Sequence, residues 1–183
     1  VTMTKQRIDD AYQYIRTKTL FSPEIAVVLG SGLGDFADTV EADTIIDYSD
    51  IPGFPAPTTP GHKGRLIFGK KYGKNIAVMQ GRFHCYEGYT PSETVIPLRT
   101  LIKTGVKTLF ITNAAGGVNR DFKAGDLAVI TDHINFASLN PLVGRNLDEF
   151  GTRFPDMTYA YNGGFIFMLE KIAGKYNIEL KKG

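Results

Sequence analysis

Residues 76–112 read IAVMQGRFHCYEGYTPSETVIPLRTLIKTGVKTLFIT, and the order of patterns within them indicates the fold class. Residues 76–79 form a short apolar run typical of a buried strand, and residues 108–112 form a second one. Between the two runs, apolar residues recur at helical spacing, at Val95, Leu98, Leu101 and Ile102. A strand, a helix and another strand in this order are typical of an α/β fold.

The helix between these strands has recognisable end signals. Thr90 can cap its first turn, Pro91 suits the first helical position, and Glu93 stands where a capping box requires an acidic residue. Gly105 predicts the end of the helix. Pro97 lies inside the helix and predicts a kink.

The rest of the chain continues the alternation of strands and helices. An amphipathic helix around Ile8, Ala11, Tyr12 and Ile15 is predicted before a strand at 25–29. Residues 65–68 and 76–79 flank a turn-rich segment, which predicts a hairpin. The proline-rich residues 50–60 predict a loop.

Towards the end, the sequence predicts a buried strand at 127–131 and a helix at 165–176, with one apolar face formed by Phe165, Leu169, Ile172 and Tyr176. We therefore expect an α/β fold with a mixed central sheet flanked by helices, in a single domain over residues 1–183.

The composition excludes several classes of protein. Hydrophobic residues make up 43% and charged residues 22% of the 183 positions, as in ordinary globular proteins. The 21 Lys and Arg residues exceed the 19 Asp and Glu residues too slightly to imply a nucleic acid or an anionic membrane as partner. No apolar run is long enough to cross a bilayer. A single cysteine, Cys85, allows no internal disulfide framework, and we expect a cytoplasmic protein.

Residues 81–88, GRFHCYEG, follow a predicted strand and carry side chains suited to binding. In extended backbone, alternate side chains share a face. One face would then carry the side chains of Arg82, His84 and Tyr86, and the opposite face would carry those of Phe83, Cys85 and Glu87. A guanidinium matches phosphate oxygens, and an imidazole can donate a hydrogen bond near neutral pH. The segment therefore predicts a site for an anion and a sugar, with an ordinary polar surface turn as the alternative.

Two further glycine-rich segments follow predicted strands, at residues 30–34 (GSGLG) and 112–119 (TNAAGGVN). Glycines allow a ligand to approach the backbone closely and leave amide groups free to bind an anion. The first segment matches neither a dinucleotide fingerprint, a P-loop nor a nucleophile elbow, so Ser31 is predicted to bind phosphate rather than to act as a nucleophile. Loops at strand ends are where open α/β sheets bind ligands, although a glycine-rich turn without a ligand is the alternative.

Three other residues have a less specific pattern. His62 lies between glycines in GHKGR, residues 61–65, and by itself would be only a solvated histidine. His133, which follows the strand predicted at 127–131, is predicted to be structural. Cys85 is predicted to pack on the face opposite Arg82.

Taken together, these segments resemble the purine nucleoside phosphorylases of the trimeric, 6-oxopurine-preferring type. The matching segments occur in the family's order through nearly all of the chain, at residues 30–34, 61–66, 81–89, 112–119, 140–142 and 150–155. The resemblance implies a pentosyltransferase of purine salvage. Such an enzyme catalyses the reversible phosphorolysis of purine ribo- and deoxyribonucleosides, such as inosine and guanosine, to free base and pentose 1-phosphate. It implies no metal and no organic cofactor, because inorganic phosphate is a substrate.

Residue by residue, the resemblance implies a phosphate site formed by Ser31, His62, Arg82, His84 and the backbone of Ala114. It implies that Tyr86 lies against the ribose and that Glu87 orients His84. Ala115 and Gly116 would pack near the base. Phe154 would reach into the sugar site of a neighbouring subunit, which implies a homotrimer.

The chain departs from the family in one respect. The family continues with strands that carry a glutamate and an asparagine for the purine and a histidine near the ribose 5′-hydroxyl, whereas this chain stops at Gly183. We therefore expect a fold that is incomplete at the C-terminus, and the preference between inosine and guanosine stays open. Two other functions also stay open: a non-catalytic phosphate or nucleoside binder, and a methylthioadenosine phosphorylase, against which Tyr86 and Glu87 after His84 argue.

Overall fold

The computed structural model describes residues 3–55 and 64–183 of the chain. The chain divides into two compact units. The first consists of Val1–Ala114 and Asn140–Phe150, and the second of Ala115–Leu139 and Gly151–Gly183. The single domain over 1–183 stays a prediction.

In residues 3–55 and 64–114, the first unit contains a five-stranded sheet and three α-helices. Its strands are β1 (Ile25–Leu29), β2 (Glu41–Asp47), β3 (Arg65–Lys71), β4 (Lys74–Gln80) and β5 (Thr108–Ile111). Its α-helices are α1 (Met3–Lys18), α2 (Pro91–Thr94) and α3 (Ile96–Thr104). Short 3₁₀ helices cover Gly34–Thr39, Tyr48–Asp50, Cys85–Glu87 and Asp148–Phe150.

The sheet has the order β2-β3-β4-β1-β5 and is mixed. β1 is parallel to both β4 and β5, whereas β3 is antiparallel to β2 and β4. The predicted hairpin is confirmed as β3 and β4, joined through Tyr72 and Gly73 with φ angles of 49° and 72°. Such a two-residue turn with positive φ matches the twist of the strands. The mixed sheet flanked by helices confirms the predicted fold class.

The core lies on both faces of the sheet, because strand residues alternate in direction. On one face, Ala26 and Met79 pack with Ile15 of α1 and Leu101 of α3. On the other, Val78 and its neighbours pack near the 3₁₀ helix Gly34–Thr39. The predicted first helix is confirmed, and its Ile8, Ala11 and Ile15 are fully buried.

The predicted capping box is present at the start of α2. Glu93 N–H donates to Thr90 Oγ1 over 3.3 Å, and Thr90 N–H donates to a Glu93 carboxylate oxygen over 2.9 Å. The kink expected from Pro97 is a break at Val95, after which α3 begins with Pro97 in its first turn. Gly105, with a φ of 118°, ends α3 as predicted.

The second unit contains β6 (Leu127–Val129), β7 (Leu180–Lys182) and α4 (Gly163–Lys175). β6 and β7 are parallel and form their own two-stranded sheet. The strand predicted at 127–131 is therefore shorter than expected, and the prediction that it is buried is wrong, because β7 is its one partner strand in the described residues. Asn162 caps α4 through its side-chain oxygen.

α4 confirms the predicted final helix, but the residues expected on its apolar face remain open to solvent. Phe165 and Ile172 are each 45% exposed. Among the helices of residues 3–55 and 64–183, none has both the length and the hydropathy of a membrane span.

Candidate functional site

Three of the predicted phosphate-binding segments meet at one edge of the sheet in the first unit. Ser31 follows β1, Arg82 follows β4, and Ala114 follows β5. β4, β1 and β5 are adjacent and mutually parallel, so their carboxyl ends lie side by side. The structure therefore brings together the loops that carry Ser31, Arg82 and Ala114, at the kind of edge where open α/β sheets bind ligands.

Hydrogen bonds through Thr112 tie these loops together. Gly30 N–H donates to Thr112 Oγ1 over 2.8 Å, and that hydroxyl donates to the carbonyl oxygen of Val28 over 2.9 Å. Arg82 Nη1 donates to the carbonyl oxygen of Thr112 over 2.8 Å. Because β1 lies between β4 and β5, the Arg82 side chain spans the end of β1. The Arg82 guanidinium thus links the ends of β4 and β5, and the Thr112 hydroxyl links the ends of β5 and β1.

The backbone after β4 differs from the extended course predicted for residues 81–88. Gly81 has a φ of 105°, and Cys85–Glu87 form a 3₁₀ turn. Side chains therefore cease to alternate between two faces after His84. The turn is stabilised by Glu87, whose Oε2 accepts from the backbone N–H of His84 over 2.8 Å. His84 and Tyr86 nevertheless lie side by side. Their rings stack with 4.6 Å between centroids and 14° between planes. Their proximity therefore comes from the turn and not from strand alternation.

Phe83 and Cys85, expected opposite Arg82, differ in burial. Phe83 is 6% exposed and contacts the rings of Tyr48, Phe54 and Tyr89. Cys85 is half-buried at the start of the turn. The buried Phe83 anchors the loop to the core, so Arg82 and His84 on either side of it have a fixed backbone.

Tyr48 holds the start of the same loop. Its hydroxyl donates to the carbonyl oxygen of Gly81 over 2.8 Å, and its side chain is fully buried. Burial raises the pKa of the Tyr48 phenol, because the interior disfavours the phenolate. Three site-supporting residues were missed by sequence reasoning: Tyr48, Thr112 and Gln80, whose side-chain amide donates to the carbonyl oxygen of Gly34 at the end of the Ser31 loop. The only sequence signals were a polar residue at the end of an apolar run, for Gln80, and the matching segment 112–119, for Thr112.

The other predicted site residues lie outside this arrangement. His62 is outside the described residues. Ala115, Gly116 and Phe154 belong to the second unit, where Phe154 is 84% exposed and has the Arg153 guanidinium 5.7 Å from its ring centroid. Their roles, like the contact of Tyr86 with ribose and the orientation of the His84 ring by Glu87, stay predictions.

Two other features of the described residues could form alternative sites. In the second unit, the Tyr161 hydroxyl and His133 Nδ1 share a hydrogen bond. In the first unit, a cavity of about 160 Å³ is lined by residues of α1, α2 and α3 and by residues 141–147. None of the predicted site residues lines that cavity. Within residues 3–55 and 64–183, no group of three His, Cys, Asp or Glu side chains could hold a metal ion.

Comparison with known proteins agrees with the resemblance drawn from the motifs. Residues 24–183 match the phosphorylase superfamily. Purine nucleoside phosphorylase 1 of Bacillus subtilis (strain 168) is 49% identical over 179 residues, which are 98% of this chain and 66% of that protein. Purine nucleoside phosphorylase of Mus musculus is 44% identical over 162 residues, covering 87% of this chain and 56% of that protein.

Solved structures agree in fold. Isoform 2 of purine nucleoside phosphorylase from Schistosoma mansoni, in complex with cytosine and ribose-1-phosphate, superposes with a TM-score of 0.92 at 40% identity. The superposition covers 100% of this chain and 66% of that one. The chain thus spans just under two thirds of the length of the Bacillus and Schistosoma proteins and 56% of the mouse protein. The relatives described above are named purine nucleoside phosphorylases, and this chain belongs to the phosphorylase superfamily.

Proposed function

We propose that this chain carries the phosphate-binding half of a purine nucleoside phosphorylase site, and that it takes part in the reversible phosphorolysis of nucleosides such as inosine and guanosine. The observation that carries the proposal is the hydrogen bond of 2.8 Å from Arg82 Nη1 to the Thr112 carbonyl oxygen. That bond fixes one donor of a guanidinium with five N–H groups. The remaining donors are available to an anion at the edge where the Ser31 and Ala114 loops also lie.

In the proposed reaction, an oxygen of phosphate forms a bond to C1′ as the bond from C1′ to the purine nitrogen breaks. The electron pair of the broken bond leaves with the purine, which in the overall balance takes up the proton that hydrogen phosphate loses as its oxygen bonds to C1′. Positive charge develops on the sugar, as in other glycosidic cleavages, and the bound phosphate dianion stabilises that charge. Holding phosphate in line with C1′ removes an entropic barrier that reaches about 7–11 kcal/mol for well-aligned reactants. No side chain needs to act as a covalent nucleophile.

The stacked pair of His84 and Tyr86 supports a role beside the sugar. Tyr86 is 78% exposed, so the pair is open to a ligand on the Tyr86 side. In the proposal, His84 donates a hydrogen bond to phosphate, and the phenol of Tyr86 lies against the ribose. Glu87 holds the backbone of His84 by accepting its N–H.

The homotrimer, the role of Phe154 across subunits, purine salvage and a cytoplasmic location belong to the same proposal. The first three are implied by the resemblance of the motifs to that family, and the lone cysteine, Cys85, supports the last. The proposal includes neither a metal nor an organic cofactor, because phosphate and nucleoside supply all the reacting atoms.

The test is to incubate the chain with inosine, with and without phosphate, and to measure hypoxanthine and ribose 1-phosphate. Sulfate at equal ionic strength replaces phosphate in the control, and 5′-methylthioadenosine is assayed in parallel. Equal amounts of the two products, formed only with phosphate, are expected. Cleavage without phosphate would contradict phosphorolysis. Phosphate-dependent thermal stabilisation without product would indicate a binding protein instead.

A further inference from the structure

Gln80 is a buried polar residue that the proposed chemistry does not use. It ends β4, two residues before Arg82, and is 5% exposed. Both ends of its side-chain amide are bonded: Nε2 donates to the carbonyl oxygen of Gly34 over 2.8 Å, and Oε1 accepts from Arg65 Nε over 2.5 Å. A buried amide with both groups satisfied has a fixed orientation, because any other rotamer would leave a buried polar group without a partner.

The two partners of Gln80 lead to the same neighbouring element. Gly34 ends the glycine loop that carries Ser31 and begins the 3₁₀ helix Gly34–Thr39. Arg65, which is directly paired with Gln80 across β3 and β4, forms an ion pair of 2.9 Å with Asp38 in that 3₁₀ helix. The exit of the glycine loop is therefore held at two points, Gly34 and Asp38, by the ends of β4 and β3.

The glycine loop has few bonds of its own. Leu33 N–H donates to the Gly30 carbonyl oxygen over 3.2 Å, and Phe36 N–H donates to the Leu33 carbonyl oxygen over 3.1 Å. Ser31 and Gly32 are exposed between these bonds. The position of Ser31 therefore depends on how the two ends of the loop are held. Gly30 fixes the first end, through Thr112, and Gly34 fixes the second.

We propose that Gln80 is a positioning residue that holds the Ser31 loop at a fixed distance from Arg82, so that both can bind one phosphate. This inference rests on the proposed function for its effect on phosphate, but the placement of the loop is measurable without any ligand. Gln80 and Arg82 lie on one short segment, so any shift of Gln80 would move Arg82 with it.

The sharpest variant is Gln80→Glu. A carboxylate keeps an acceptor for Arg65 Nε but replaces the donor to Gly34 by an oxygen, which faces the carbonyl oxygen. The bond from Arg65 Nε is then kept, and the bond to the Gly34 carbonyl oxygen is lost. Gln80→Met removes both bonds at similar volume, and Gln13→Glu, on the exposed side of α1, is the control for the added charge.

The first measurement is amide hydrogen exchange in the absence of phosphate. The amides of Leu33 and Phe36 should exchange about tenfold faster in Gln80→Glu than in the unmodified chain, which is the effect expected from losing one hydrogen bond. Amides of β1 should exchange at unchanged rates, and so should all amides in Gln13→Glu. Unchanged exchange at Leu33 and Phe36 in a folded Gln80→Glu protein would overturn the inference.

The second measurement separates positioning from stability. In steady-state kinetics, the KM for phosphate should rise about tenfold in Gln80→Glu, while the KM for inosine should change less than about twofold. If Gln80 had only a structural role, Gln80→Glu would lower the melting temperature and change the KM values for phosphate and inosine by the same factor. That result would overturn the inference. If the unmodified chain neither binds nor uses phosphate, the proposed function fails, and the exchange rates by themselves decide whether Gln80 holds the loop.

Discussion

Gly30 and Asn113 approach each other so closely that a side chain at position 30 has no room. A Cβ atom on Gly30 would lie 2.7 Å from the Asn113 Cα atom and 2.7 Å from the Thr112 carbonyl oxygen. Both are backbone atoms, so no rotation of a side chain can relieve the overlap. The missing Cβ therefore allows the loops after β1 and β5 to meet, and the bond from Gly30 N–H to Thr112 Oγ1 depends on that approach.

Gly30→Ala should destabilise the first unit and weaken phosphate binding. Forcing the two loops apart should lower the free energy of unfolding by about 1–3 kcal/mol, the usual cost of overpacking. Urea unfolding measures this change. Gly174→Ala in α4 is the control, because a Cβ atom there would meet no neighbouring element of the described residues within 4 Å, and alanine favours a helix. Equal stability of Gly30→Ala and the unmodified chain would contradict the close approach.

Arg82→Ala should reduce phosphate-dependent turnover by about 10²–10³, the range seen when a donor to developing or bound negative charge is removed. Arg82→Lys should recover only part of the loss, because an ammonium lacks the planar fork that reaches Thr112 and phosphate together. Steady-state rates at varied phosphate concentration measure the effect.

Lys74→Ala is the matched control for Arg82, since it removes one positive charge at the opposite end of β4. Its rate should equal that of the unmodified chain. If Arg82→Ala kept both its rate and its apparent affinity for phosphate, the anion site would have to lie elsewhere.

Tyr48→Phe should lower the free energy of unfolding by about 1–3 kcal/mol, because the carbonyl oxygen of Gly81 loses its buried donor. Tyr72→Phe is the control, since the Tyr72 side chain is 90% exposed. Thermal or urea unfolding at neutral pH measures both. A loss of stability in Tyr72→Phe equal to that in Tyr48→Phe would contradict the assignment.

The same phenol should make stability depend on pH on the alkaline side. Its pKa is raised in the folded chain above the ordinary value of 10.0, so the folded state keeps the proton that the unfolded state releases. The contribution of Tyr48 to stability is thus complete below pH 10.0 and should decline as the pH rises above that value. Unfolding measured across this range should show a shallower decline in Tyr48→Phe than in Tyr72→Phe.

Short sequence patterns predicted the features that depend on residues close together in the chain. Residues 25–29 form β1 as predicted, and the capping box of Thr90 and Glu93 forms as its spacing indicated. These features depend on hydrophobic periodicity or on bonds between residues three apart. Strands β2 and β7 were missed, because β2 has few buried residues and β7 is three residues long, so neither has a clear apolar pattern.

The sequence predicted which strand-end loops would come together, but not the bonds that join them. Loops at the ends of β1, β4 and β5 were expected to bind one ligand, and the order of the sheet brings them together. The bonds that join them run from Arg82 to Thr112 and from Gln80 to Gly34, over 30 and 46 positions of sequence. Such contacts depend on strand order, which no single segment encodes. The turn at Cys85–Glu87 was missed because no local signal marks where the extended backbone after β4 ends.

Phe154→Ala tests whether a neighbouring subunit completes the sugar site. Phe154 is 84% exposed in the second unit, so its ring is accessible to another subunit. Losing an aromatic contact worth about 1.5–3 kcal/mol should raise the KM for inosine roughly tenfold to a hundredfold and leave the KM for phosphate nearly unchanged. Tyr159→Ala, at a side chain that is 87% exposed, is the control and should leave both constants unchanged.

Because the effect of Phe154 requires a second subunit, light scattering has to accompany the kinetics. A trimer whose Phe154→Ala variant keeps its mass but loses affinity for inosine would place the aromatic ring in the sugar site of a neighbour. A variant that loses its assembled mass would instead assign Phe154 to the subunit interface. A rise in the KM for phosphate with an unchanged KM for inosine would contradict a contact between Phe154 and the nucleoside, because the substrate that loses affinity is the one that the ring touches.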